Sequence, residues 1–282
     1  MTGFVNIVKP ENLSSAKVVA AVKRKFDTPC GHMGTLDPMA TGVLPIGVGK
    51  AARLFPYLLD KDKVYRANFL FGISTDTLDT TGKIEKTTDL IPSLTEIKNA
   101  LANFTGEIEQ TPPKFSSKCV QGKRGYELAR AGKDFELKPK RVRIDNVEYI
   151  GKVSDREFSF RITCGGGTYI RSLARDMGEY LGSLAVMSAL VRERSGKFLI
   201  EDAVPLEEFT ESSEPEKYLI PADFAVDYEK LVIEDDKAKK ILDGVYEDYG
   251  YKDGVYRVYR KDGFLGIGEA KDGRLRIKAY VR

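Results

Sequence analysis

Four side chains in this sequence have the chemistry to act on a substrate: Asp37, Tyr65, Arg171 and His32. Asp37 and His32, the chain's one histidine, share the stretch GHMGTLDP at residues 31–38. An aspartate ahead of Pro38 is pushed out of helical backbone and projects from an extended turn. Gly31 and Gly34 permit a backbone that closes tightly on a ligand. Such a carboxylate can act as a nucleophile, or it can be an Asx-turn residue that stabilises its own loop. Arg171 follows Gly165-Gly166-Gly167-Thr168 near the start of an expected helix. Buried beside Asp37, its guanidinium would keep the carboxylate ionised and aimed; on the surface it would contact phosphate instead. Tyr65 is either an active phenol or a core aromatic with its hydroxyl satisfied. His32 is either a satisfied turn residue or an aromatic that stacks where a base has left a duplex.

Other chemistries fail on residue type. GVGK at 47–50 lacks the first glycine of a phosphate loop, because Leu44 stands there, and Ala51 replaces its hydroxyl. A dinucleotide fingerprint has no clean strand–helix frame with a downstream acid. Serine or cysteine hydrolysis would have to use His32, and no G-x-S-x-G elbow exists. With one histidine and three separated cysteines (Cys30, Cys119 and Cys164), a structural zinc site is not expected. The expectation is an activity without metal or organic cofactor.

The elements that must position these groups follow from periodicity. GFVNIV (3–8) reads as a strand, and Ser14 or Ser15 can cap a helix through Phe26 with Val18, Val19, Val22 and Phe26 on one face. Residues 27–42 break periodicity and read as loop. VLPIGV (43–48) is strand-like, followed by a short helix over Ala51–Leu59. KVYRANFLFG alternates, which places Tyr65, Ala67, Phe69 and Phe71 on one strand face. Ser93-x-x-Glu96 is a capping box opening a helix with Ile97, Leu101 and Phe104. RVRIDNVEYI and EFSFRITC read as strands leading into the helix of GGGTYIRSLARDMGEYLG. Beyond about Glu229, one short helix (Asp235–Asp243) precedes short strands joined by Lys-Asp-Gly turns at 252–254, 261–263 and 271–273.

The 282 residues suffice for one large domain, or one plus a small module. No stretch approaches the roughly 20 apolar residues of a membrane span. The start, MTGFVNIVKPENL, lacks the basic and apolar runs of a signal peptide, and the odd, scattered cysteines suit a reducing cytosol. The net charge of +3 hides an uneven distribution. Residues 114–143 carry ten Lys/Arg against three acids, with Phe115, Tyr126 and Phe135 interspersed; residues 201–248 carry sixteen acids against five lysines. The first segment has the density that phosphate neutralisation requires, or it is a solvated charged face.

Taken together, six stretches resemble the bacterial tRNA pseudouridine-55 synthases of the TruB family. They are IVKPENLSS (7–15), GHMGTLDPMATGVLPIGVGKAARL (31–54), KVYRANFLFGISTDTLDTTG (63–82), PPKFSSKCVQGKRGYELARAG (112–132), GGGTYIRSLARDMGEYLG (165–182) and LVRERSGKF (190–198). The resemblance implies an α/β (α+β) pseudouridine synthase fold with a mixed, largely antiparallel central sheet. It implies a catalytic domain over 1–225, with an RNA-gripping basic insertion at about 112–143, and a small, mostly β, PUA-like RNA-binding domain over 229–282. It also implies Asp37 as the nucleophile toward a flipped uridine, Tyr65 stacked on the base and involved in removing the C5 proton, and Arg171 as the partner of the aspartate. Leu190 would floor the base pocket and His32 would attend the flipped nucleotide. Lys9, Gly34, Thr35, Lys118, Arg124 and Tyr169 would contact substrate. The implied partner is the T-arm of tRNA, for a monomeric cytoplasmic enzyme without metal or cofactor. Three departures stand out: Asn12 where the family has glycine, Phe115 for the usual tyrosine, and Ser117-Lys118-Cys119 for an alanine-led run. Asparagine accepts left-handed backbone, so the first is tolerable; the other two bear on substrate contact.

Overall fold

The computed structural model describes residues 1–58, 61–116, 119–120, 122–131, 135–245 and 248–282, and only the backbone of 119, 120, 123, 124, 126, 129 and 130. The chain forms two compact units, each built from separated stretches. One comprises Met1–Leu36, Val43–Leu59 and Gly196–Arg282; the other comprises Asp37–Gly42 and Asp60–Ser195. Among the described residues, no helix is long and apolar enough to cross a membrane.

In the first unit, the strand Gly3–Lys9 pairs in parallel with Val204–Pro205 and antiparallel with Ile220–Pro221. Helix Ser15–Phe26 is capped by Ser14, whose hydroxyl accepts from the Lys17 amide at 3.3 Å. Asn12 has φ +62°, a left-handed backbone that asparagine accepts. Within the expected loop 27–42, Cys30–His32 is in fact a short strand, antiparallel to the end of Thr41–Val48. Main-chain pairing made that strand, and with Gly31 at its centre it left no side-chain alternation to read.

Four further strands of this unit form a second sheet, in the order Glu229–Val232, Gly254–Arg260, Gly263–Lys271 and Arg274–Tyr280. The first pair is parallel and the others are antiparallel. Helix Asp235–Leu242 contributes Ala238 and Ile241 to a cluster with Val258, Leu265 and Leu275. Ile267, Ala279 and Val281 belong to a different cluster, with Phe4, Val43, Leu54 and Phe198. The last strands of the chain therefore share a core with its first.

The second unit is a mixed, largely antiparallel sheet, as the sequence led us to expect. Its strands run in the order Ala185–Ser195, Lys63–Phe71, Glu157–Cys164, Lys140–Lys152 and Gly106–Gln110, all antiparallel. Tyr65, Ala67, Phe69 and Phe71, together with Lys63 at its start, are the buried positions of their strand. Phe69 packs on Phe160 with ring centroids 4.9 Å apart, and Phe71 on Phe158 at 5.8 Å. Helix Ile170–Tyr180 buries Ile170, Leu173, Ala174 and Met177. The capping box at Ser93 and Glu96 forms in full.

Thr41 and Gly42 pair in parallel with Val191 and Arg192 at the outer edge of this sheet. Gly42 makes that approach possible. Its φ is +99°, and a Cβ there would lie 2.3 Å from the Arg192 carbonyl oxygen and 2.8 Å from its nitrogen. The pairing fixes the far end of the short Asp37–Gly42 segment. Left-handed backbone costs an alanine roughly 1–2 kcal/mol before any clash. Gly42→Ala should destabilise the protein by more than about 2 kcal/mol and lower its Tm in calorimetry. An unchanged Tm would mean that this edge shifts freely.

Candidate active site

Asp37 is gripped by the Arg171 side chain. Arg171 donates from Nη2 to Oδ1 at 3.0 Å and places Nε 2.9 Å from Oδ2. This is the two-pronged guanidinium–carboxylate pair, which fixes direction as well as distance. The two partners differ in exposure: the Arg171 side chain is 7% accessible, the Asp37 side chain 32%. The cation is sealed while the carboxylate keeps an open face, as a group that must meet a substrate requires.

The rest of the Arg171 guanidinium is also occupied. Nη1 donates to the carbonyl of Thr77 at 2.9 Å, and Nη2 to the carbonyl of Phe115 at 2.9 Å. Nη1 lies 3.5 Å from Oδ2 of Asp79, whose side chain is 6% accessible. Asp79 is anchored in turn: Thr77 and Thr81 hydroxyls donate to its Oδ1 at 2.7 and 2.6 Å, and the Thr81 amide at 3.0 Å. Between Thr77 and Asp79, Leu78 adopts φ +62°. That conformation is unfavourable for a leucine, and here the Leu78 carbonyl is bound by the Met187 amide at 3.1 Å.

Helix Ile170–Tyr180 carries Arg171 in its first turn and is pinned at its start. The Tyr169 amide donates to Oε1 of the buried Gln110 at 2.8 Å, and Ser172 and Arg175 both donate to the Thr111 carbonyl. Tyr169 itself is half-buried, and burial raises its phenol above the usual tyrosine value. The residues that follow Gln110 lead into the basic segment, so Arg171 bonds the near end of that segment at Phe115.

Tyr65 lies directly across from Arg192 and from Ile162 in the sheet, and Leu190 from Ala67. Tyr65 and Leu190 are each 7% exposed. Burial pushes the Tyr65 phenol above its ordinary value, partly offset by the charge of Arg192 and a hydrogen bond to its side chain. Cys164, at the end of a neighbouring strand, is pushed up to about 11 by burial and is a neutral thiol at ordinary pH.

Four further residues from the sequence reading lie in the first unit. His32 pairs with Ile46 and is half-buried. Gly34 has φ +95°, and Thr35 is exposed. Lys9 is fully buried, with Nζ donating to the carbonyls of Pro10 and Leu13 at 2.7 Å. It braces its own turn. Lys118 and the side chain of Arg124 lie outside the described residues. Two neighbours of the site escaped the sequence reading: Asp79 and Arg192. The signal for Asp79 was an acid among hydroxyls in STDTLDTTG; for Arg192 it was a charge inside the apolar run ALVRERS. Among the described residues there is no group of three or more His, Cys, Asp or Glu that could hold a metal ion.

Residues 23–170 match the TruB family pseudouridylate synthase N-terminal domain, and residues 171–227 the tRNA pseudouridylate synthase B C-terminal domain. The chain is 39% identical to the tRNA pseudouridine synthase B of Clostridium kluyveri and 40% identical to that of Aquifex aeolicus, in both cases over 100% of each chain. Its fold resembles the crystal structure of a Cbf5-Nop10-Gar1 complex (TM-score 0.71, 24% identity, 98% of this chain and 79% of that one). It also resembles an H/ACA RNP bound to a substrate RNA containing 2'-deoxyuridine (TM-score 0.74, 23% identity, 99% and 85%). With a family match across half its length and full-length relatives at this identity, the chain belongs to the TruB family of pseudouridylate synthases.

Proposed function

We propose that this enzyme converts uridine 55 in the T-loop of tRNAs to pseudouridine, with Asp37 as the nucleophile. The observation that carries the reading is the carboxylate of Asp37, gripped on both oxygens by a sealed guanidinium and open on its other side. The names of the full-length relatives support tRNA as the substrate.

Exchanging the N-glycosidic bond for a carbon–carbon bond transfers no electrons overall, so the chemistry is positioning and charge. The uridine must first leave its stack, which costs a few kcal/mol. Tyr65 and Leu190 would pack against the extracted base, and His32 would handle the displaced nucleotide. Asp37 would attack the ribose–base unit, releasing the base to rotate and rejoin through C5. Arg171 would act by holding the carboxylate at the reacting atom. Gly34, Thr35 and Tyr169 would contact the RNA, while the buried Lys9, expected from the sequence to touch substrate, would act by bracing its own turn. Lys118, Arg124 and the rest of residues 112–143 would clamp its phosphates. The strands and helix over 229–282 would form a PUA-like module that grips tRNA, with the catalytic domain over 1–225. The reading includes a monomer that works in the cytoplasm.

Tritium release from a tRNA transcript containing 5-tritiated uridine tests the reaction, and carbodiimide mapping of the product tests its position. Wild type should release label and give one T-loop stop, and Asp37→Asn should release none while still binding the transcript. Binding without release by wild type would leave a non-catalytic RNA-binding protein. Label released with stops elsewhere would reassign the substrate site.

Arg171→Lys keeps the charge but not the fork. Turnover should fall by at least about 100-fold with the tRNA affinity retained. Near-normal turnover in that variant would remove Arg171 from the reaction.

A further inference from the structure

Among the described residues, Arg192 is the largest side chain that is fully buried, with 1% exposure. Taking a guanidinium out of water costs several kcal/mol unless its protons are bound. Its place in the sheet is specific. Arg192 stands directly opposite Tyr65 in the antiparallel pair of Ala185–Ser195 and Lys63–Phe71, and residues so opposed project from the same face. Its side chain is hydrogen-bonded to the Tyr65 hydroxyl, and a guanidinium can only donate. On its other side the Arg192 main chain pairs with Gly42, at the end of the segment that begins with Asp37. The groups that act on the Tyr65 hydroxyl come from three elements: Arg192, Cys164 on the strand Glu157–Cys164, and Asp37. Only the first is a cation.

We propose that Arg192 is a positioning residue for Tyr65: it fixes the phenol by donating to its oxygen and supplies the opposing charge when that oxygen is a phenolate. This rests on the reading of Tyr65 as the group that takes the C5 proton. In that step the C5–H bond of the rejoined base breaks and the proton goes to the phenolate oxygen. The electron pair closes C5–C6 and moves onto N1, which takes a proton from water. The new phenol returns its proton to solvent between turnovers. The phenolate is the form favoured at higher pH, and burial already opposes it. Removing Arg192 therefore moves the rise of activity with pH to more alkaline values.

The experiment compares full-length wild type with Arg192→Met, which has similar length and no charge. It follows tritium release from 5-tritiated uridine in tRNA across neutral and alkaline pH. In parallel, the Tyr65 phenol is titrated by ultraviolet difference against Tyr65→Phe. We expect both the Tyr65 titration and the rising limb of kcat to shift to higher pH. At neutral pH kcat should fall roughly 100-fold, within the range that one positioned proton-transfer group supplies, with transcript affinity unchanged. Arg192→Lys should bring the limb back toward wild type, and it carries the titration if Arg192→Met does not fold. A Tyr65 titration that stays in place overturns the proposal. A titration that shifts under an unmoved kcat profile upholds the pairing and removes Tyr65 from the proton transfer.

Discussion

The guanidinium of Arg171 meets Asp37 on both carboxylate oxygens, the carbonyls of Thr77 and Phe115, and Oδ2 of Asp79. Three stretches remote in sequence are thereby tied to the first turn of one helix. A buried cation stripped of one such partner costs about 3–5 kcal/mol, so each stretch is held in place by the need of the others. The hydroxyls of Thr77 and Thr81 complete the arrangement by satisfying the oxygen of Asp79 that Arg171 does not face. A single ion pair has become a small polar core, and low exposure strengthens every bond in it.

Around that core the sheet supplies rigidity rather than chemistry. The strand Ala185–Ser195 does most of this positioning. Its middle pairs with Lys63–Phe71 on one side and with Thr41 and Gly42 on the other. It brings Leu190, Arg192 and, through Met187, the turn of Asp79 into one region. Two register shifts, between Met187 and Ala189 and between Arg192 and Arg194, re-aim its side chains along the way.

Those same shifts explain why periodicity did not reveal this strand in the sequence. Period-two alternation found Lys63–Phe71 at once, and capping chemistry found the helix starts at Ser14 or Ser15 and at Ser93, because both signals are local. Ala185–Ser195 shows no clean alternation: its bulges put Ser188 and Glu193 out of phase and leave a buried arginine among apolar residues. Asp37 and Arg171 could be singled out by residue type and by neighbouring glycine or proline, and Tyr65 by its place on an alternating strand face. What joined them was the resemblance, since no periodicity encodes a contact across 134 residues of sequence separation. Asp79 went unnoticed for the same reason. Its partners are hydroxyls next to it and a cation far along the chain, and only the first half of that is written locally. The shared core of Phe4, Leu54, Ile267 and Val281 was equally illegible, because it joins the ends of the chain.

Phe115 stands where the family resemblance led us to expect a tyrosine, yet Arg171 reads that position through its main-chain carbonyl, as it does Thr77. A carbonyl is the one acceptor that every amino acid brings. The ion pair is thus insulated from drift in the side chain of residue 115, where the path of the backbone preserves the charge centre, whereas Thr77 also supplies the hydroxyl that holds Asp79. At residue 115 the side chain and the main chain carry separate constraints, and the first can change without disturbing the second.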